Sequence, residues 1–133
     1  MSVGDLENED GYMIRLYIGG AGHGQEVLAE KETGKHPVLC NPETAFREEA
    51  VDKFHLLTRQ VLKDGGSAQE FAEKLAAENP DVVICCDEIG GGIVPAEREE
   101  RIWREETGRA LCILAEHAES VTRVYCGIGQ RIK

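Results

Sequence analysis

Residues 19–26 read Gly19-Gly20-Ala21-Gly22-His23-Gly24-Gln25-Glu26 and follow directly on a short apolar run. Gly19 and Gly24, with four residues between them, have the spacing of a loop whose backbone N–H groups cradle phosphates at the start of a helix. A working loop of this kind continues with Lys, which reaches the β- and γ-phosphates, and Ser or Thr, which holds magnesium. Gln25 and Glu26 stand there instead. Gln keeps a hydrogen-bond donor but loses the charge, and Glu puts negative charge where phosphate oxygens would lie. The glycines fit a phosphate; the two residues after them do not. A glycine turn kept for backbone geometry alone therefore stays open beside the nucleotide-binding reading.

Two further groups carry chemistry. Asp87-Glu88 closes the apolar stretch Val82 to Cys86, and ligands of open α/β sheets bind at the carboxyl ends of strands. Two carboxylates there suit a hydrated magnesium ion. His55 and Arg59, four apart, share a helix face. A nucleophilic imidazole beside a phosphate-binding guanidinium suits transfer of a nucleotidyl group. The plainer alternative is a boundary histidine next to a solvated arginine. His36 and His117 have no partner legible in the sequence. Trp103, between Arg101 and Arg104, reads as a packing residue rather than a stacking platform.

The elements that must position these groups alternate along the chain. Met13 to Ile18 is a β-rich run feeding the glycine loop, and Gly24 to Glu32 has helical composition up to Gly34. His36 to Cys40 is a second strand candidate. Asn41-Pro42-Glu43 is a helix start, and Ala50, Val51, Phe54, Leu57 and Val61 supply a helical stripe over 43–62. Ser67 to Glu70 is a capping box opening a helix that buries Phe71 and Leu75. Val82 to Cys86 predicts a strand covered on both faces. Glu97 to Glu119 predicts a long helix with Ala110, Leu111, Leu114, Ala115 and Ala118 as its stripe, and Val121 to Cys126 a last strand. The alternation predicts an α/β fold, a mostly parallel sheet with flanking helices. Residues 1–12 read as an acidic flexible tail, and 13–133 as one domain.

Composition narrows the function. The chain has 133 residues and a formal net charge of −10. A surface this acidic disfavours a sequence-independent grip on nucleic acid or on an anionic membrane, but leaves a local nucleotide pocket open. The apolar runs are strand-sized, and the N-terminus lacks the basic and apolar regions of a signal peptide. Five cysteines without a CxxC pair predict free thiols in a reducing, cytoplasmic setting.

From Glu88-Ile-Gly-Gly-Gly-Ile-Val-Pro95 onward the chain resembles the bifunctional adenosylcobinamide kinase/adenosylcobinamide-phosphate guanylyltransferase family. There a buried strand runs into Asn-Glu-Val-Gly-x-Gly-Ile-Val-Pro, followed by a helix with Arg-x-Phe-Arg-Asp-x-x-Gly-Arg. This chain has Arg101-Ile-Trp-Arg104-Glu105-Glu-Thr-Gly108-Arg109, then Val121 to Cys126, Gly127 and Arg131-Ile-Lys133. The glycine loop is similar to the family's Gly-Gly-Ala-x-x-Gly-Lys-Ser. The resemblance implies a P-loop-NTPase-like (RecA-like) reduced core. It also implies ATP- or GTP-dependent phosphorylation of adenosylcobinamide, coupled to GMP transfer through a GMP–histidine intermediate. His55 and Arg59 fit the placement of that histidine and its arginine, with Glu88 as a third catalytic candidate. A nucleotide with magnesium, a corrinoid partner and a trimeric homo-oligomer follow from the same resemblance.

The departures bear on activity. Gln25 and Glu26 replace Lys-Ser, Asp87 replaces Asn, and Leu111-Cys112 replace Asn-Gln. The chain between His55 and Val82 is shorter than the family's. Phosphoryl transfer depends on stabilisation by Lys and metal, so these changes oppose kinase chemistry. Three readings result: a degenerate member retaining nucleotide or corrinoid binding in an accessory or regulatory role, a reduced guanylyltransferase using His55, and a structural protein that binds no ligand.

Overall fold

The computed structural model describes residues 12–133, so the expected acidic tail lies outside the described residues except at Tyr12. Tyr12 packs against the core, its ring 4.5 Å from that of His117. Strand β1 (Arg15–Gly19) leads through the glycine loop into helix α1 (Gln25–Thr33). Strand β2 (Ala50–Val51), helices α2 (Phe54–Lys63) and α3 (Ala68–Glu78), strand β3 (Val83–Asp87) and helix α4 (Arg98–His117) follow. Strands β4 (Ser120–Tyr125) and β5 (Ile128–Arg131) close the chain.

The sheet order is β2-β3-β1-β4-β5. The β2/β3, β3/β1 and β1/β4 pairs are parallel, and only β4/β5 is antiparallel. This is the expected mostly parallel α/β architecture. Alternate residues of β1 and β3 point to opposite faces. Ile14, Leu16, Ile84 and Cys86 pack with Phe54, Leu57, Phe71, Leu75, Ala110 and Leu114 of α2, α3 and α4. Tyr17, Val83, Cys85 and Val124 pack with Leu28 and Ala29 of α1. Cover on both faces accounts for the continuous apolar run at 82–86. The loop after β1 thus leaves toward one face and the loop after β3 toward the other. The carboxyl edge between them is where open α/β sheets bind ligands.

Three expectations are corrected. The helix over 43–62 is broken into a single 3-10 turn (Thr44–Arg47), strand β2 and helix α2. Asn41 does cap, its Oδ1 accepting from the N–H groups of Glu43 and Thr44. The side-chain nitrogen of Asn79, however, donates to the carbonyls of Ala45 and Glu48, at 3.0 and 2.8 Å. Val83 N–H donates to Glu49 O, and Ala50 and Val51 pair with β3. Sheet pairing outweighs local helical preference here. Second, His36 to Cys40 contributes one bridge, Val38 to Val51, rather than a strand. Third, β4 is not the last strand: Cys126 and Gly127, with φ of 52° and 76°, turn the chain into β5. Two consecutive left-handed residues make the tight hairpin that suits strand twist.

The capping serine of α3 behaves as expected, Ser67 Oγ accepting from Glu70 N–H at 3.2 Å. The stripe of α4 buries Ala110, Leu114 and Ala118. No described helix is long and apolar enough to cross a membrane.

Candidate functional site

The glycine loop sits at the carboxyl edge between β1 and its neighbours. Gly19 has no room for a side chain, because a Cβ there would lie 2.3 Å from Val124 O. Gly24 caps α1 in the left-handed region, φ 87°, and supplies no side-chain acceptor to the first turn. The N–H groups of that turn therefore have no intrahelical partner. His23 is tied down from the other side. Its Nδ1 accepts from Cys126 N–H at 2.8 Å, and its ring stacks on Tyr125 at 4.9 Å. Its carbonyl accepts from Gly127 N–H. The β4–β5 turn, not visible in the sequence pattern, is thus one wall of the loop. Ala21 and Gly22 are exposed at its tip, and Gly20 O accepts from His23 N–H.

Gln25 does not point out of the loop. It is 2% exposed, and its Nε2 lies 2.8 Å from Gly19 O, 3.1 Å from Gly20 O, 3.4 Å from Cys86 O and 3.2 Å from Asp87 Oδ1. An amide with two hydrogens is surrounded by four acceptors, while its own Oε1 is buried without a hydrogen-bond partner. An orphaned buried acceptor costs about 1–3 kcal/mol. Glu26 is exposed in the first turn of α1, where a carboxylate complements the helix dipole. Neither residue brings positive charge to the loop.

Asp87 is the hub beneath it. Oδ1 faces Gln25, and Oδ2 lies 3.6 Å from His55 Nε2 and 3.9 Å from Lys53 Nζ. The backbone N–H of Asp87 donates to His55 Nδ1 at 3.2 Å. Since Nδ1 accepts that bond, the neutral ring carries its proton on Nε2, toward the carboxylate. His55 is 6% exposed in the first turn of α2. Burial, the largest influence, pushes its pKa down from the ordinary value, against the upward pull of Asp87. Asp52 is raised, again by burial first, and its Oδ1 accepts from Lys53 N–H at 2.8 Å. Lys53 itself holds φ 51° and ψ 54° ahead of α2. For a residue with a Cβ that conformation costs about 1–2 kcal/mol.

Arg59 turns away from this hub. It pairs with Glu100 Oε1 and lies 4.0 Å above the Trp103 ring. Trp103 is more than packing: it carries the guanidinium on its face, and its Nε1–H donates to His55 O at 2.8 Å. Glu88 is exposed, and its N–H donates to Gly19 O at 2.7 Å. The following loop is held by α4, with Arg104 donating to the carbonyls of Gly90, Gly91 and Ile93 and Arg101 to those of Pro95 and Ala96.

Magnesium at the Asp87-Glu88 pair would compete with contacts that Asp87 already makes. The two Asp87 oxygens already face three donors from Gln25, His55 and Lys53. Among the described residues no group of three or more His, Cys, Asp or Glu is placed to hold a metal. The buried thiols are also unsuited to chemistry: burial pushes Cys86 up to about 12 and Cys85 upward, and all five cysteines are free. His36 pairs with Glu30 at 2.9 Å on the surface.

Two of the expected groups converge: residues 19–26 and His55 both meet at Asp87. Arg59 lies beside this centre, and Glu88 touches it only through its backbone N–H, which donates to Gly19 O. Sequence reasoning missed Lys53, Asp52 and the hairpin turn at Cys126. A strand of two residues hid the fact that Asp52 and Lys53 emerge at the same sheet edge as the glycine loop.

A parallel α/β sheet with a strand–glycine loop–helix unit at its carboxyl edge defines a P-loop-like protein. The family model for cobinamide kinase / cobinamide phosphate guanyltransferase matches residues 18–132, and the chain belongs to that family. It is accordingly a relative of cobalamin-biosynthesis enzymes. No curated protein matches the chain.

Proposed function

We propose that this family member binds a nucleotide at the carboxyl edge of the sheet, in an accessory or regulatory role, and does not phosphorylate cobinamide. The side chain of Gln25 carries this reading. It occupies the position of the phosphate-reaching lysine, is turned under the loop, and is neutral. Phosphoryl transfer draws nearly all its acceleration from positive charge and metal placed on the transferring group. Glu26, Asp87 and Glu88 surround the same edge with negative charge instead. The glycine loop and the open first turn of α1 still suit an anion.

Calorimetry with GTP, GMP, ATP and cobinamide tests the binding, and a phosphorylation assay with cobinamide tests the missing kinase step. Binding of a nucleotide or of the corrinoid without product is the expected result; turnover at rates usual for kinases overturns it. If no ligand binds, the structural reading replaces this one.

The His55–Asp87 pair supports a second reading, a residual guanylyltransferase. His55 Nε2 would attack the α-phosphorus of GTP, forming an N–P bond as the bond to pyrophosphate breaks. To free that nitrogen's lone pair, its proton would first pass to Asp87 Oδ2, and Nδ1 would keep the bond from Asp87 N–H. An intact-mass gain of one GMP, lost in His55→Ala, would establish it; no adduct would leave binding alone. Cytoplasmic location and a homotrimer are consistent with the family and belong to this proposal, with gel filtration as the check on assembly.

A further inference from the structure

The glycine loop lacks a cation of its own, yet one stands opposite it. We infer that Lys53 supplies the phosphate-binding charge of this site, reaching from the β2–α2 junction to a nucleotide phosphate held against residues 19–24. The inference rests on the nucleotide-binding reading above and names a residue that reading did not use.

Three observations carry it. Lys53 Nζ lies 3.9 Å from Asp87 Oδ2, and Asp87 Oδ1 lies 3.2 Å from Gln25 Nε2, so the ammonium and the loop share one carboxylate. The lysine side chain is 40% exposed, within reach of a ligand at this edge. Stability does not explain a lysine here. It sits in left-handed backbone, which favours Gly or Asn, and at the N-cap of α2, where a cation opposes the helix dipole. Its backbone is pinned on both sides, the N–H by Asp52 Oδ1 and the carbonyl by Leu56 N–H. That pinning fixes the point from which the side chain leaves, and its contact with Asp87 places the ammonium at the edge of β3.

The groups facing Lys53 set a competition. Asp87 pairs with the ammonium, Asp52 feels its charge, His55 stands alongside and Glu26 acts on Asp52. A phosphate must take the ammonium from Asp87. Weakening that carboxylate therefore strengthens binding, and more so where Lys53 is present.

The experiment is GTP calorimetry on the full chain, Lys53→Gly, Lys53→Arg, Asp87→Asn and the Lys53→Gly/Asp87→Asn double variant. Lys53→Gly is expected to lose affinity about tenfold or more. Its thermal midpoint is expected to rise by a few degrees, since glycine relieves the left-handed backbone. Lys53→Arg retains binding. Asp87→Asn gains more affinity in the chain that keeps Lys53 than in the Lys53→Gly background, a coupling that a loss of fold cannot produce. If the unaltered chain binds GTP and Lys53→Gly binds equally well, Lys53 is not the phosphate contact while nucleotide binding stands. If the unaltered chain binds no GTP at millimolar concentration, the nucleotide reading falls and this inference with it.

Discussion

Gln25 Nε2 and Asp87 Oδ1 lie 3.2 Å apart. These are two of the positions at which the chain departs from the family pattern it otherwise follows, Gln for Lys and Asp for Asn. Their contact links the two positions. A neutral amide and a carboxylate, joined by a hydrogen bond, stand where the pattern that the chain resembles has a positive residue and a neutral one.

Restoring the lysine is therefore a sharp test. Gln25→Lys places an ammonium among the four oxygens that now surround a two-hydrogen amide, and nucleotide affinity is expected to rise about tenfold. Glu26→Ser added to it should raise affinity further. Calorimetry with GTP reads both, and no gain in the double variant would mean that the loop N–H groups do not face a phosphate.

His55 gives a pH signature. Buried and neutral, it takes up a proton on unfolding below its ordinary value near 6.5, so the unfolded state binds more protons there. Stability consequently falls as the pH drops through that value. Asp52 acts the other way in a lower window, since its raised pKa makes stability fall as the pH climbs above the usual aspartate range. Urea midpoints between pH 8 and 5 (approximately the span of the imidazole titration) should decline for the unaltered chain and flatten in His55→Gln.

Trp103→Phe separates the indole N–H from the ring. The ring still underlies Arg59, but His55 O loses its donor, at an expected cost of about 1 kcal/mol. Trp103→Ala should cost about 3 kcal/mol or more. Urea unfolding gives both values, and no loss in Trp103→Phe would show that the hydrogen bond contributes nothing of its own.

Gly19→Ala drives a Cβ to within 2.3 Å of a backbone oxygen, where no side chain can yield. A loss of about 3 kcal/mol is expected in thermal or urea unfolding. Gly90→Ala meets nothing within 4 Å and serves as the control, with little change.

How far the sequence led differs by element. The glycine loop, the α1 and α3 helices and the doubly covered strand β3 were legible because their signals are local: glycine spacing, a capping serine, an unbroken apolar run. Ala50 and Val51 were misread because their helical spacing with Phe54 is genuine, while their partner, β3, lies far along the chain. Asn41 does start a helical turn, but Asn79 takes the carbonyls that would have continued it. In the site, His55 was found by type and spacing. Lys53 was not, because its significance comes from a backbone angle and from a carboxylate that only the sheet brings near. The hairpin at Cys126 hid for a related reason: the first of its two left-handed residues is a cysteine, not the Asn or Asp that announces such turns.

The order of strands has a consequence for how the chain is assembled. Strand β1 is the first to be made and lies at the middle of the sheet, yet its two partners begin only at Val83 and Ser120. One of its edges stays unpaired until Asp87 has been made, and the other until Val124. Closing such long loops before any pairing is rewarded slows folding, and an open β edge invites association with other chains in the meantime. Refolding should therefore be slow for a chain of this length and sensitive to protein concentration, and removing β4 and β5 should leave one edge of β1 open.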